Sequence, residues 1–512
     1  MPKQKRGRNR VGRTDRSRAI DQMEWRIPVN RDRPTEPLDR EGIEAIHNGA
    51  LRVLKEIGIR FLNDEALQIF RSAGCIVKDD IVHMDDDFVM EMVGRAPSKF
   101  TITPRNRERE LQIGGDKILF GNVGGAPNYF DLERGKVPGF MDGFRDLMKL
   151  SQFFNCIHFD SGYVVEPQDI HARDRHLDCL YEKLTLSDKV CFAFSLGKER
   201  VEDAMEMVRI AGALDTQAFR EKPRMFTNIN SVSPLKHDFP MIDGALRMAR
   251  AGQMVAVTPF TLAGAMAPVT MAGAVTLSIA EALSAIALLQ FVAPGSPTMI
   301  GTFTSNVDMK SGAPAFGTPE YIRATQMTGQ LARHYGLALR SSGVCTANVP
   351  DGQAMWETSN SLWAAVQSGS HIVYHAAGWL EGGLIASPEK FVMDCELLQM
   401  IQRYMEPSVC TTTPQDIAFD AIAEVGFDGH FFGTQHTLDR YENAFYAPIA
   451  SDWRNFEAWE KDGGTWSAER AHKIFREIIA EFEAPPMDDA IRDELRDFVA
   501  RRKREGGAPT DY

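Results

Sequence analysis

From about residue 115 onward, short apolar runs alternate with longer amphipathic segments, and this alternation constrains the fold more than any other feature. The predicted strands are 117–122, 156–162, 189–195, 224–229, 254–259, 298–304, 337–343 and 371–377. Strands separated by helices pair in parallel through right-handed crossovers. Eight such units in about 290 residues favour an α/β fold of the closed (β/α)8 TIM-barrel type over an open sheet.

The predicted barrel, residues 115–406, is flanked by segments with different patterns. Residues 1–36 begin with many basic residues and end rich in proline, which predicts a disordered basic arm. Residues 37–114 show helical apolar spacing with Asn or Asp at the helix starts, which predicts a mainly helical N-terminal region. Residues 407–500 are predicted as a C-terminal segment of helices and an aromatic-rich loop, followed by a disordered tail at 501–512.

Charge and cysteine content narrow the class of protein. A net charge of −12 argues against a nucleic-acid-binding body, which would present a basic face. The seven cysteines are scattered without a CxxC pair, which fits the reducing cytoplasm and predicts no structural metal site.

Residues 254–292 carry a single charge, Glu281, but prolines and glycines interrupt the apolar run. We therefore expect a strand and a buried helix there, and no membrane span.

The functional residues of a barrel lie at the C-terminal ends of its strands and in the loops that follow. Here those positions hold mainly Asn, Thr, Gly and aromatic residues. They contain no HExxH motif, no G-x-S-x-G elbow, no obvious carboxylate pair and no strand-end lysine for a Schiff base. A neutral, aromatic mouth of this kind suits a small pocket for an organic cation.

Several long motifs resemble the trimethylamine methyltransferase family. They are SSGVCTANVPDGQAMWE and HAAGWLEGGLIASPEKFVMDCE after the last two strands, NSVSPLKHD and TPFTLAGAMAPVT after the fourth and fifth, and GHFFGTQHTLDRYENAFYAP near the C-terminus. The resemblance covers about residues 38–485. It implies an enzyme that moves a methyl group from a methylated amine to the cobalt of a separate corrinoid-binding protein, so no cofactor is held tightly by this chain.

Archaeal members of that family carry pyrrolysine and act on trimethylamine, whereas this chain has only standard residues. The matching position falls near Asn348, in the loop after the seventh strand. A quaternary ammonium already carries a neutral tertiary amine as its leaving group, so it needs positioning rather than a general acid. Members without pyrrolysine are similar to enzymes that demethylate betaines and carnitine. The resemblance therefore implies a betaine-like quaternary amine, such as glycine betaine, as the substrate.

Seven residues form the predicted site. His375 and Asn122 are predicted to hold the carboxylate or other polar end of the substrate, and Asn348 to line the pocket beside the transferred methyl group. The candidate catalytic residues are thus His375 and Asn348. The predicted aromatic contacts to the N-methyl groups are Tyr129, Phe260, Trp356 and Trp379. No nucleophile is expected from this chain, because the cobalt of the partner supplies it.

Two other functions stay open at this point. One is a lyase or hydrolase that acts on small methylated amines without any corrinoid. The other is a non-catalytic binder of quaternary amines. The aromatic C-terminal segment and the GWLEGGL loop are candidate docking surfaces for the corrinoid protein or for another copy of the chain, and we expect a homo-oligomer.

Overall fold

The computed structural model describes Ile20 and residues 22–510, without the side chains at 408 and 409. Most of the predicted basic arm, residues 1–19, lies outside the described residues. The N-terminal region is mainly helical, as expected, with short strands between its helices. Its elements are α1 (Arg40–Arg52), a π-helical turn (Val53–Ile57), β1 (Ile59–Phe61), α2 (Asp64–Ser72), β2 (Ile76–Lys78), β3 (Ile81–His83), α3 (Asp86–Val93), β4 (Phe100–Ile102) and β5 (Leu111–Ile113).

Residues 22–36 pack against the central sheet and its helices, and Trp25 and Ile27 contact the apolar cluster on the inner face of the sheet. The side chain of Gln22 donates to the carbonyl of Phe153, and that of Asn30 donates to the carbonyl of Val366. Burial of polar groups is offset by such hydrogen bonds, which hold this stretch in one place. The prediction that disorder extends to residue 36 is therefore wrong for residues 22–36.

The central region begins at residue 119 and keeps the predicted alternation. Its strands are β6 (Leu119–Asn122), β7 (Asn128–Asp131), β8 (Gly135–Pro138), β9 (Cys191–Phe192), β10 (Met225–Ile229), β11 (Lys236–His237), β12 (Met254–Val257), β13 (Leu262–Ala263), β14 (Thr298–Gly301), β15 (Ser305–Val307), β16 (Pro314–Ala315), β17 (Leu339–Ser342), β18 (Ile372–Ala377), β19 (Trp379–Leu380) and β20 (Ile385–Ala386). Its helices are α4 (Met141–Phe153), α5 (Ala172–Leu186), α6 (Lys198–Ala211), α7 (Thr216–Glu221), α8 (Phe239–Arg250), α9 (Met271–Val292), α10 (Pro319–His334), α11 (Gly352–Ser368) and α12 (Pro388–Tyr404).

Seven of these strands form one parallel sheet in the order β6-β18-β17-β14-β12-β10-β9. The second predicted strand, at 156–162, is reduced to Phe159, which bridges Gly121 of β6 and Val190 beside β9 in parallel fashion. The Asp160 carboxylate accepts from the backbone N–H of Phe192 at 3.0 Å, so a side chain replaces a strand carbonyl there. Phe159 thus lies between the two edge strands of the sheet.

Alternate strand residues point to opposite faces of the sheet. On the inner face, the ring of Phe226 lies 5.4 Å from Phe159, 5.5 Å from Phe192 and 5.8 Å from Tyr374 between centroids. The helices cover the outer face. Helix α9 is apolar and long enough to cross a membrane by length and composition, but 78% of its most apolar window is buried inside the protein. The expected buried helix is confirmed.

The C-terminal segment consists of α13 (Pro414–Ile417), α14 (Phe419–Val425), α15 (Gln435–Leu438), α16 (Phe456–Lys461), α17 (Ser467–Glu481) and α18 (Asp489–Arg504). Helix α17 packs on α12 and α4, whereas α18 packs on α5 and α6. The backbone N–H of Ala508 donates to the carbonyl of Arg173. The predicted disordered tail at 501–512 is therefore helical as far as Arg504, and its hydrogen bonding reaches residue 508.

Candidate functional site

A cavity of about 550 Å³ opens at the C-terminal ends of the sheet strands. Every strand end contributes to it, because parallel strands bring their carboxyl ends to the same edge. Its aromatic walls are formed by Phe192, Phe194, Phe260, Phe303, Tyr374 and Trp379, and its polar lining includes Ser161, Asn228, Asn230, Ser231, Arg340 and His375. This is where a small organic ligand would be bound in an α/β fold of this type.

Arg340 is a buried cation on the floor of this cavity. It lies on β17 with 3% of its surface exposed, and its guanidinium carbon is 4.1 Å from the centroid of the Tyr374 ring. Its Nη1 donates to Ser342 Oγ at 2.7 Å, whereas its Nε has no hydrogen-bond partner among the described residues. Burial lowers the pKa of Arg340 to about 10, and no carboxylate within the described chain forms an ion pair with it. A buried charge is normally paired, so this arginine indicates an anionic ligand.

His375 lies beside Arg340 at a break in strand β18. Its backbone φ is +55°, and the pairing register with β6 shifts between Val373 and Ala377, which marks a β-bulge. Positive φ is uncommon for residues other than glycine, and such strain concentrates at functional sites. The bulge turns the imidazole into the cavity, where its Nε2 is 3.5 Å from Arg340 Nη2 and its Nδ1 has no partner among the described residues.

The imidazole of His375 is neutral. Burial, and secondarily the positive charge of Arg340, lower the pKa of His375 well below its usual value. The Nε2 atom therefore faces the guanidinium as an acceptor. The site thus carries one positive charge rather than two, because protonating the imidazole would place two cations side by side.

Several other buried polar atoms that line the cavity lack partners within the described residues. They are Ser161 Oγ, Tyr374 Oη and Trp379 Nε1, in addition to the Arg340 and His375 nitrogens. Buried polar groups in native proteins almost always form hydrogen bonds. Their convergence on one cavity is what a site built to bind a polar ligand would show. A second cavity of about 520 Å³ at the opposite end of the sheet lacks this feature: both ring nitrogens of its His371 lie within hydrogen-bond distance of backbone atoms.

The aromatic wall is continuous on one side of the cavity. The centroids of Phe260 and Phe303 are 5.1 Å apart, and Phe303 lies 6.3 Å from Trp379. Trp379 in turn lies 4.2 Å from the His375 ring. Such a wall presents the negative faces of aromatic rings, which attract organic cations.

A buried ion pair holds this wall in place. Asp394 accepts from the backbone N–H of Gly378 at 2.9 Å and pairs with Lys390, and both charges are fully buried behind the bulge. Lys390 also donates to Thr358 Oγ1 at 2.9 Å. The pair thereby fixes the backbone next to Trp379.

The lone charge of α9, Glu281, holds the loop after β10. Its carboxylate accepts from the hydroxyl of Ser231, from Ser233 Oγ at 2.6 Å and from the backbone N–H of Leu235 at 2.7 Å. Burial raises the pKa of Glu281, and these hydrogen bonds oppose that rise. Ser231 lines the cavity, so this carboxyl group positions one of its walls.

The structure places three of the seven predicted site residues in the cavity lining: Phe260, His375 and Trp379. Asn122 and Tyr129 do not belong to the lining of this cavity. The Asn122 amide donates to Ser151 Oγ and accepts from the N–H of Ser161, so it is occupied within the protein. Tyr129 is buried against helix α4, and a Cβ on Gly143 would lie 2.8 Å from its ring.

Asn348 and Trp356 also lie outside the cavity lining. Asn348 is exposed on the loop after β17, and Trp356 lies one turn into α11 with 59% of its surface exposed. Both side chains face solvent, so neither contributes to the wall of the cavity.

Arg340 was missed, and the expectation of an uncharged mouth was therefore wrong. One signal was available in the run LALRSSG: a single charged residue within an otherwise apolar strand. Strands of a parallel sheet are buried on both faces, so a charge there requires a specific partner.

An α/β fold with an aromatic, singly charged cavity at its strand ends is the arrangement of a protein that binds a small organic molecule. The chain belongs to the trimethylamine methyltransferase family, whose model matches residues 4–507. It is 35% identical to the glycine betaine methyltransferase of Desulfitobacterium hafniense, covering 92% of this chain and 98% of that relative. It is 28% identical to the proline betaine:corrinoid methyltransferase of Eubacterium limosum, again over 92% and 98%.

Its fold is that of the monomethylamine methyltransferase of Methanosarcina barkeri. The two chains superpose with a TM-score of 0.53 at 11% identity, over 91% of this chain and 89% of that one.

Proposed function

We propose that this methyltransferase transfers a methyl group from a betaine to the cobalt of a separate corrinoid protein. The observation that carries the proposal is Arg340, a buried cation without a carboxylate partner in the described chain, set in an aromatic cavity. A betaine joins a carboxylate to a quaternary ammonium, so one molecule satisfies both features. The names of the two betaine-specific relatives support the same substrate class.

The charges orient the substrate within the cavity. Arg340 attracts the carboxylate and repels the ammonium, so the two ends of a betaine point in opposite directions. Because Arg340 lies on a strand at the cavity floor, the N-methyl groups face the mouth. There they contact the wall of Phe260, Phe303 and Trp379, each contact contributing roughly 0.5–2 kcal/mol.

The proposed reaction requires this chain to bind and align the substrate, and it requires no proton transfer. The C–N electron pair stays on the departing tertiary amine, which leaves neutral, while the cobalt of the partner supplies the nucleophile. The neutral His375 fits this task, since an imidazolium at that point would repel the ammonium. An aromatic cavity also favours a transition state in which charge is more dispersed than in the reactants.

The corrinoid protein needs a docking surface at the mouth, and we infer that an apolar collar provides it. Nine exposed apolar side chains lie on loops or first helical turns that follow the sheet strands: Leu132, Phe140, Val232, Phe239, Val269, Met309, Val349, Trp356 and Leu384. Exposed apolar patches rimming a pocket mark interaction sites.

We further infer that Phe159 closes the sheet into a complete eight-membered barrel, and that the enzyme works in the cytoplasm.

A direct assay tests the proposed function. The protein is mixed with a reduced corrinoid protein and a panel of betaines, and the absorbance of the methylated corrinoid is followed. We expect methylation with at least one betaine and none with trimethylamine. Betaine binding by calorimetry without any methylation would instead indicate a non-catalytic binder. Demethylation without the corrinoid protein would indicate a lyase or hydrolase.

A further inference from the structure

Three arginine side chains line a small cleft at the N-terminal end of strand β10. Arg224 directly precedes β10, and Arg105 and Arg107 lie on the segment between β4 and β5. The backbone N–H of Thr103 donates to the carbonyl of Pro223 at 2.9 Å, which holds that segment against the start of the strand. The aromatic cavity lies at the opposite, C-terminal end of the sheet strands, so the two sites are separate.

The size of this cleft fits a small inorganic anion. Its volume is about 50 Å³. A single water molecule requires roughly 10–15 Å³ of such a volume, so the cleft has room for about three to five atoms of that size. A tetrahedral oxyanion such as phosphate has four oxygen atoms around one centre. Its oxygens therefore fill the cleft.

The positive charge of the cleft is not balanced by the residues that line it. None of these residues is acidic, and none of the three guanidinium groups forms an ion pair within the described chain. Glu110, beside the cleft, accepts from Thr103 Oγ1 at 2.6 Å. Burial, and secondarily the charge of Arg107, lower the pKa of Arg224, whereas Glu110 and Glu221 oppose that shift. An anion between the arginines would relieve their mutual repulsion.

Two of the arginines also hold a buried donor without a partner. Arg105 donates through Nη1 to the carbonyl of Pro486 at 2.8 Å and through Nη2 to that of Ser187 at 3.2 Å. Arg224 donates through Nη2 to the carbonyl of Ala218 at 3.1 Å. The Nε atom of each arginine is buried and has no partner among the described residues. Buried N–H groups are almost always hydrogen-bonded, so these two indicate a ligand.

The C-terminal end of helix α6 borders the same cleft at Gly212. Helix C-termini carry partial negative charge, which disfavours an anion. Here the carbonyl groups at the helix end are already hydrogen-bonded. That of Val208 accepts from the N–H of Gly212 at 3.0 Å, and that of Leu214 accepts from Arg209 Nη1 at 2.6 Å. The three arginines therefore dominate the charge of the cleft.

We propose that this cleft binds a tetrahedral oxyanion of the phosphate type, either the free ion or the phosphoryl group of a small monoester. The Nε–H groups of Arg105 and Arg224 donate to its oxygens, and the exposed Arg107 adds a third positive charge. The bound anion joins the segment before β5 to the start of β10. It thereby stabilises the folded chain by mass action. This site does not depend on the proposed methyl transfer.

Calorimetry of the full chain with inorganic phosphate, in chloride buffer at constant ionic strength, tests this proposal. We expect one phosphate bound per chain and a higher unfolding temperature when phosphate is present. Arg224→Met removes one guanidinium and should raise the Kd for phosphate about tenfold to a hundredfold. The control Arg71→Met changes an exposed arginine on α2 and should keep the parental Kd.

Three results would overturn the proposal: no binding of phosphate, an equal Kd in the parent protein and Arg224→Met, or a loss of phosphate binding in Arg340→Met alone. The last result would place the anion in the aromatic cavity. If Arg224→Met does not fold, Arg107→Met replaces it, because that side chain is exposed. An unchanged Kd in Arg107→Met would then refute the site.

The same titration with glycerol phosphate distinguishes the two sources of the anion. A lower Kd for the ester than for inorganic phosphate supports a phosphorylated small molecule as the ligand. A lower Kd for inorganic phosphate supports the free ion. Binding of either ligand that does not weaken in Arg224→Met contradicts the proposed cleft.

Discussion

Replacing Arg340 by methionine should have opposite effects on substrate binding and on the stability of the empty enzyme. Methionine keeps the apolar stem that packs on Tyr374 but removes the charge. Nη1 already donates to Ser342 and one Nη2 hydrogen faces His375 Nε2, so the edge left for a carboxylate is Nε with the second hydrogen of Nη2. That edge can give a carboxylate two parallel charge-assisted hydrogen bonds.

Each hydrogen bond to a charged group contributes about 1.5–3 kcal/mol, so the loss of two should cost about 3–6 kcal/mol of betaine binding. That loss raises the Kd roughly a hundredfold to ten-thousandfold. The empty variant should unfold at a higher temperature than the empty parent protein, since a buried charge without an ionic partner has been removed. Arg340→Lys keeps the charge but loses the planar fork of the guanidinium. Its affinity for the betaine should therefore lie between those of the parent protein and Arg340→Met.

Calorimetry with a betaine and with tetramethylammonium, together with thermal unfolding of the empty proteins, separates the effects. Tetramethylammonium has no carboxylate, so its affinity should stay constant or improve in Arg340→Met as the repulsion disappears. An equal loss of affinity for both ligands would refute the assignment of Arg340 to the carboxylate. A lower unfolding temperature of the empty variant would refute its description as an uncompensated charge.

Three further predictions follow from the other described groups. His375→Asn introduces a residue that tolerates positive φ. It should lower the rate of methyl transfer about 100-fold, because the substrate is no longer aligned by the imidazole. A turnover close to that of the parent protein in the corrinoid assay would contradict this role. Glu281→Gln should raise the KM for betaine about tenfold, because one hydrogen bond to the Ser231 loop is lost. The far-UV circular dichroism should stay unchanged. An unchanged KM would show that this carboxyl group does not position the cavity wall. Burial lowers the pKa of His158 and of His237 to about 4, so below pH 6.5 the unfolded chain binds protons that the folded protein does not. Stability should then fall by about 2 kcal/mol per histidine from pH 7 to pH 5, and urea unfolding at both values should show a smaller fall in His158→Gln.

Strand positions were predictable because their apolar runs are continuous and their helices are amphipathic. The direction in which side chains point at the strand ends was less predictable. Phe260 and Trp379 line the cavity, whereas Asn122 turns toward helix α4 and donates a hydrogen bond to Ser151. A strand end that bulges, as at His375, breaks the two-residue alternation on which such predictions rest.

The exposure of Trp356 and Asn348 to solvent could not be predicted from the sequence either. Trp356 and Asn348 belong to a motif typical of the family, yet a motif does not say which of its members face inward. Arg340, in contrast, could be found by asking where a charge within a buried strand would find its partner. Its interpretation needed the structure, because the lack of a carboxylate partner among the described residues depends on residues distant in the chain.

The join at Phe159 has a consequence for how the sheet tolerates change. Elsewhere the register of neighbouring strands is specified by backbone ladders, which do not depend on side-chain identity. At this join, His158 Nδ1 accepts from the N–H of Phe120 and the Asp160 carboxylate accepts from that of Phe192. These side-chain bonds supplement two backbone bonds across the join, from the N–H of His158 to the carbonyl of Phe120 at 2.7 Å and from the N–H of Asp160 to the carbonyl of Val190 at 3.3 Å. Loss of either side chain should therefore weaken this join more than a comparable change weakens the other strands, and native-state hydrogen exchange should begin at Phe120 and Phe192.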